Sequence, residues 1–91
     1  MKLQVLKFGA SWCGPCKVLN PIFTAVEEEY AAKGELVEFT KFDIDSEPEA
    51  SIKYGIRNVP TILYVINDEV KEKQVGVVNQ DAIRQLIEKY K

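Results

Sequence analysis

The chain has 91 residues, 46% of them hydrophobic and 29% charged, with a formal net charge of −2. That composition fits one globular domain, expected over residues 1–91, with one modest core. It offers no basic run for nucleic acid, no apolar stretch near the roughly 20 residues of a membrane span, and no signal-peptide pattern in MKLQVLKFGA, so the cytoplasm is the expected compartment.

Residues 2–8, KLQVLKF, read as a mostly buried strand, and 9–12 as a short loop. From Cys13 to about Ala32 the apolar residues Val18, Leu19, Ile22, Phe23, Val26 and Tyr30 recur at helical spacing. Pro15 falls in the first turn, where a missing amide hydrogen costs little. Pro21 falls inside the pattern and predicts a kink, and Gly34 predicts a left-handed cap. A second strand is expected over 36–45, with Val37, Phe39, Lys41 and Asp43 on one side. Ser46 reads as the cap of a short helix ending at Gly55. A third strand is expected from Thr61 to Ile66, a tight Asn67-Asp68 turn next, and a fourth strand from Glu69 to Val75. Gly76 breaks it, and Asn79 caps a last helix over about 80–90, whose buried stripe is Ala82, Ile83, Leu86, Ile87 and Tyr90. The order β-α-β-α-β-β-α joins a parallel crossover to an antiparallel hairpin. The fold class is therefore α/β, with a mixed four-stranded sheet flanked by three helices.

Cys13 and Cys16, within SWCGPCK, are the only cysteines. They read in three ways: two small buried hydrophobes, half of a metal site, or a redox dithiol. Structural zinc takes four ligands, and with no histidine in the chain only two copies sharing their pairs could supply them. The redox reading has the stronger physical basis. A thiol at the start of a helix meets free amide hydrogens and the positive end of the helix dipole, which stabilise its anion. A thiolate there attacks a disulfide and forms a mixed disulfide, and a second cysteine one turn on resolves it.

WCGPCK resembles the active-site signature of the thioredoxin family. The likeness extends through NPIF, KFDID, YGIRNVPTI and VGVVNQDAI, in order and over nearly the whole chain. It implies a thioredoxin fold and a protein-disulfide reductase needing no bound cofactor beyond its own Cys13–Cys16 disulfide. Cys13 is then the nucleophile and Cys16 the resolving thiol. Pro60 is then a cis-proline, and Val59 offers backbone groups to an extended client segment. Trp12, Gly14, Pro15, Val59, Pro60, Gly76 and Val77 form the client-binding surface, with Trp12 read as a surface residue. The implied partners are a thioredoxin reductase or similar electron donor and disulfide-containing clients; the chain is expected to be a monomer that binds neither nucleic acid nor membrane. The alternatives are a glutaredoxin-like or disulfide-forming enzyme, or a non-catalytic thioredoxin-fold subunit.

Two departures from the family pattern stand out. The chain begins at the motif-bearing strand, so the strand and helix that precede it in typical thioredoxins are expected to be lacking, leaving one sheet edge more exposed. Lys7 stands where the family usually carries a buried aspartate, and Lys41 where a lysine accompanies it. Both are read as modulators of the cysteine pKa. Two close ammonium groups repel in low dielectric. Either burial neutralises one lysine or a nearby acid, expected to be Asp43, offsets the charge. A charged Lys7 would favour thiolate and make the couple more oxidising; a neutral one could act as the base for Cys16. Lys17 and the EEE run at 27–29 read as solvated helix surface.

Overall fold

In the computed structural model, which describes residues 2–91, the elements follow in the expected order. They are β1 (Leu3–Gly9), α1 (Gly14–Ala32), β2 (Val37–Asp43), α2 (Pro48–Lys53), β3 (Thr61–Ile66), β4 (Glu69–Val75) and α3 (Gln80–Tyr90). The four strands lie in the order β2-β1-β3-β4. β1 pairs parallel with β2 and antiparallel with β3, and β3 pairs antiparallel with β4. β1 is thus central, and all its residues but Gln4 are buried.

Side chains alternate across a strand, and this divides the core in two. Leu3 and Val5 of β1 pack with Leu19, Phe23, Val26 and Tyr30 of α1 and with Ile83 and Ile87 of α3. Leu6 and Phe8 point the other way, toward Phe42, Ala50 and Tyr54 beside α2. There Phe8 stacks on Phe42 with ring centroids 5.0 Å apart. By the same alternation, Lys7 and Gly9 share the α1 side of β1, and their register partners Lys41 and Asp43 share it on β2.

Local chemistry explains most boundaries. α1 runs unbroken through Pro21. It ends in a Schellman motif: Gly34 (φ 70°) donates its N–H to the Ala31 carbonyl, and Glu35 donates to that of Tyr30. Asn67 and Asp68 both have positive φ (52° and 64°), as a type I′ hairpin turn requires. Asn79 caps α3, its side chain accepting the Ala82 N–H at 2.8 Å.

The stretch between β2 and α2 departs from expectation. Ser46 is not the cap of α2; Glu47 occupies that position and makes no side-chain cap bond. The Asp43 carboxylate instead accepts the N–H groups of Asp45 (2.8 Å) and Ser46 (3.2 Å). That Asx-type turn ends β2 at Asp43 and delays the helix to Pro48.

Unfolding in denaturant tests this architecture. Phe23→Ala, at a position with 0% exposure, is expected to cost about 3–5 kcal/mol through the cavity it leaves. Asn79→Ala should cost about 1 kcal/mol through loss of the cap. An Asn79→Ala chain as stable as its parent would show that this cap contributes nothing in solution.

Candidate active site

The site is built where β1 hands the chain to α1. Cys13 is the N-cap of that helix, in extended backbone (φ −93°, ψ 114°), with Gly14 and Pro15 filling the first turn. Its Sγ accepts the Cys16 N–H at 3.2 Å, so a sulfur takes the place that a Ser or Asp oxygen occupies in most helices. Cys13 and Cys16 form a disulfide, with Cα atoms 5.3 Å apart. Both are buried, against Ala10, Ile44 and Val59. Cys13 Sγ lies 3.8 Å from the Val59 carbonyl oxygen. The Val59–Pro60 bond is cis, and the Pro60 carbonyl accepts the Gly76 N–H at 2.9 Å. The loop before β3 and the end of β4 are thereby joined beside the cysteines.

The residues expected around Cys13 take different roles in the surface. Trp12 is 67% exposed and Val77 45%, whereas Pro60 is buried and adds no exposed apolar area. Val75 is also exposed, and so is Val18, which the helical spacing places on the apolar face of α1 but which points to solvent beside the site. The Trp12 indole N–H donates to Asp45 Oδ2 at 2.8 Å, across 33 positions of sequence. Lys17 is solvent-exposed, as expected.

Lys7 is buried at 6% exposure. Its amine donates to the Asn20 side-chain oxygen and sits 5.8 Å from the centroid of the Phe23 ring. Burial, and secondarily the charge of Lys41, hold its pKa below the ordinary lysine value. Lys41 takes a different route. Its amine donates to Thr24 Oγ1 at 2.9 Å and pairs with Glu27 Oε1 at 3.5 Å. The acid answering Lys41 is therefore Glu27, not Asp43, whose Oδ1 accepts two backbone N–H groups. The EEE run is likewise not simply solvated: Glu27 pairs with Lys41, and Glu29 with Arg84 at 2.8 Å.

Cys16, Asn20, Thr24 and Glu27 follow one another at intervals of three or four along α1, and so share one face of that helix. Lys7 and Lys41 meet this stripe from the sheet. A cavity of about 370 Å³ opens at its Cys16 end, lined by Lys7, Gly9, Cys16, Asn20, Lys41 and Asp43, among others. Asn20, Thr24, Glu27 and Asp45 were missed from the sequence. The spacing along α1 was readable, but nothing local ties those residues to two lysines on other strands. Among the described residues, no group of three or more His, Cys, Asp or Glu could hold a metal ion, and no helix is long and apolar enough to cross a membrane.

A family model described as Thioredoxin matches residues 1–89. A chloroplastic M-type thioredoxin of Pisum sativum is 37% identical over 86 residues, covering 94% of this chain and 48% of that protein. The chain thus spans about half the length of that relative. A thioredoxin of Mycoplasmoides gallisepticum is 36% identical over 86 residues, covering 94% of this chain and 82% of its own. A crystal structure of a Nicotiana alata thioredoxin superposes with a TM-score of 0.87 at 32% identity, covering 99% of this chain and 74% of the other. The fold and the bonded cysteine pair define a thioredoxin-fold protein with a redox-capable dithiol. The chain belongs to the thioredoxin family.

The burial of Lys7 has a signature in stability. A lowered folded-state pKa means that, between that value and 10.5, the unfolded chain holds a proton the folded chain does not. Stability therefore rises with pH through that window. Urea unfolding of the oxidised protein should show this rise, and Lys7→Met should flatten it. Measurements are best kept below pH 10, since burial raises the pKa of Tyr30 and Tyr64 above that value and their effect has the opposite sign. An equal pH slope in Lys7→Met would refute the assignment.

Proposed function

We propose that the chain, acting as one unit over residues 1–91, is a thiol–disulfide oxidoreductase that reduces protein disulfides. The reading rests on one observation above all: Cys13 Sγ is both the N-cap acceptor of α1 and the bonding partner of Cys16. In the reduced protein, the same N–H and helix dipole stabilise a Cys13 thiolate. That thiolate attacks a client disulfide; a Cys13–client bond forms, the client S–S bond breaks, and one client thiolate leaves. Cys16 then attacks Cys13 Sγ, the Cys13–Cys16 bond forms, and the second client thiolate leaves. The client gains two electrons and the protein loses two.

Client binding falls to Trp12, Gly14, Pro15, Val59, Pro60, Gly76 and Val77. The exposed indole and valines supply apolar contact, and the Val59 backbone, already beside Cys13 Sγ, supports pairing with an extended segment. Electrons return from a thioredoxin reductase or similar donor. The protein works without a bound cofactor, as a monomer, in a reducing compartment such as the cytoplasm. Lys7 and Lys41 modulate the cysteines. The burial of Lys7 supports its neutral form, and so a role as base for Cys16 rather than as a fixed charge favouring thiolate.

Insulin reduction by purified protein should be abolished by Cys13→Ser and by Cys16→Ser. Cys16→Ser should accumulate a mixed disulfide with the client, and Cys13→Ser should not. No insulin reduction by the parent protein, with or without a thioredoxin reductase, would point to a non-catalytic subunit instead.

A further inference from the structure

Asn20 is the residue that receives the Lys7 amine. It is solvent-exposed, stands on α1 one turn beyond Cys16, and lines the cavity that Lys7 and Cys16 also line. Lys7 and Gly9 share one face of β1, and a Cβ built on Gly9 would lie 3.5 Å from Cys16 Sγ. Cys16 thus approaches the strand face that carries Lys7. Opposite Lys7 on β3 is the apolar Ile62.

The titratable groups around Lys7 are Lys41 and Asp43 from β2, Glu47 ahead of α2, and Cys16 from α1. Neither acid serves as its counter-ion: Asp43 Oδ1 receives the Asp45 and Ser46 N–H groups, and Glu47 Oε1 receives that of Asp43. Its hydrogen-bond acceptor is instead a neutral amide oxygen. An amide can hold an amine or an ammonium, whereas a carboxylate in its place would fix the ammonium by charge.

We infer that Asn20 is a positioning residue: its amide oxygen holds the Lys7 amine in the Cys16 cavity without a counter-charge, leaving the nitrogen lone pair free to take the Cys16 proton. This rests on the dithiol reading above and refines its second half. Cys16–SH and Lys7–NH2 become thiolate and Lys7–NH3+; the thiolate displaces the client thiolate from Cys13 Sγ. Lys7 then gives its proton to water through the cavity, and no electrons move beyond those of the disulfide exchange.

The test is stopped-flow mixing of the reduced protein with a chromogenic aromatic disulfide. The first release of coloured thiolate reports attack by Cys13, and the second reports attack by Cys16. In the parent, the second phase should quicken with pH as Lys7 loses its proton. Asn20→Asp should slow that phase at neutral pH by about ten-fold or more, the order that general-base assistance contributes, and should move its rise to higher pH. The first phase should change less. In a Lys7→Met background, Asn20→Asp should add nothing, whereas a merely structural role would slow both backgrounds alike. A second phase unchanged in rate and pH profile by Asn20→Asp, or slowed equally with and without Lys7, would overturn the inference while leaving the dithiol reading intact. A parent with no second phase would overturn both.

Discussion

The site turns on a helix terminus capped by sulfur. Every helix begins with amide hydrogens that lack intrahelical partners, and here one of them, on Cys16, points at Cys13 Sγ. The same geometry places the two cysteines one turn apart, close enough to bond, and directs the positive end of the α1 dipole at Cys13 Sγ. β1 stays buried as far as Gly9, up to the loop that carries the first cysteine. Leu19, Phe23, Val26 and Tyr30 lock α1 to the sheet. The core thereby fixes the position of a single atom pair.

The face of α1 below that pair is less conventional. A helix laid on a central sheet usually presents an apolar stripe, and α1 does so toward Leu3 and Val5. Toward Lys7 and Lys41 it presents Asn20, Thr24 and Glu27 instead. The two lysines, register partners on adjacent parallel strands, settle their repulsion differently. One is buried on a neutral acceptor, and its charge is disfavoured. The other reaches the surface and finds a carboxylate. Burial of one costs less than burial of both, since the penalty falls on charge rather than on the amine itself.

The parts of this molecule legible in sequence are those governed by near neighbours. The Cys-Gly-Pro-Cys turn, the Gly34 cap, the Asn67-Asp68 turn and the Asn79 cap each follow from a residue's own backbone preference or a side chain bonding a few positions away. β3 and β4 were readable to the residue because a tight turn sets their register. Illegible parts depend on distant partners. Strand alternation alone points to Asp43 as the acid for Lys41, but its carboxylate turns the chain locally while Glu27 reaches over from α1. Asp45 gave no sign that it would hold Trp12. Lys7 stands out in a hydrophobic strand and is buried there, yet its acceptor lies on a helix whose rotation only packing decides.

The sheet order leaves β4 on an outer edge. Its sequence, EVKEKQV, carries charge at four of seven positions, with Lys71 and Lys73 exposed to solvent. An open strand border is a template on which any extended polypeptide can crystallise into a growing ribbon, and ammonium groups along it make that costly. A surface that leaves tryptophan and valine exposed carries that hazard more than most. The charged border thus leaves β4 poorly suited to pairing with a second copy of itself.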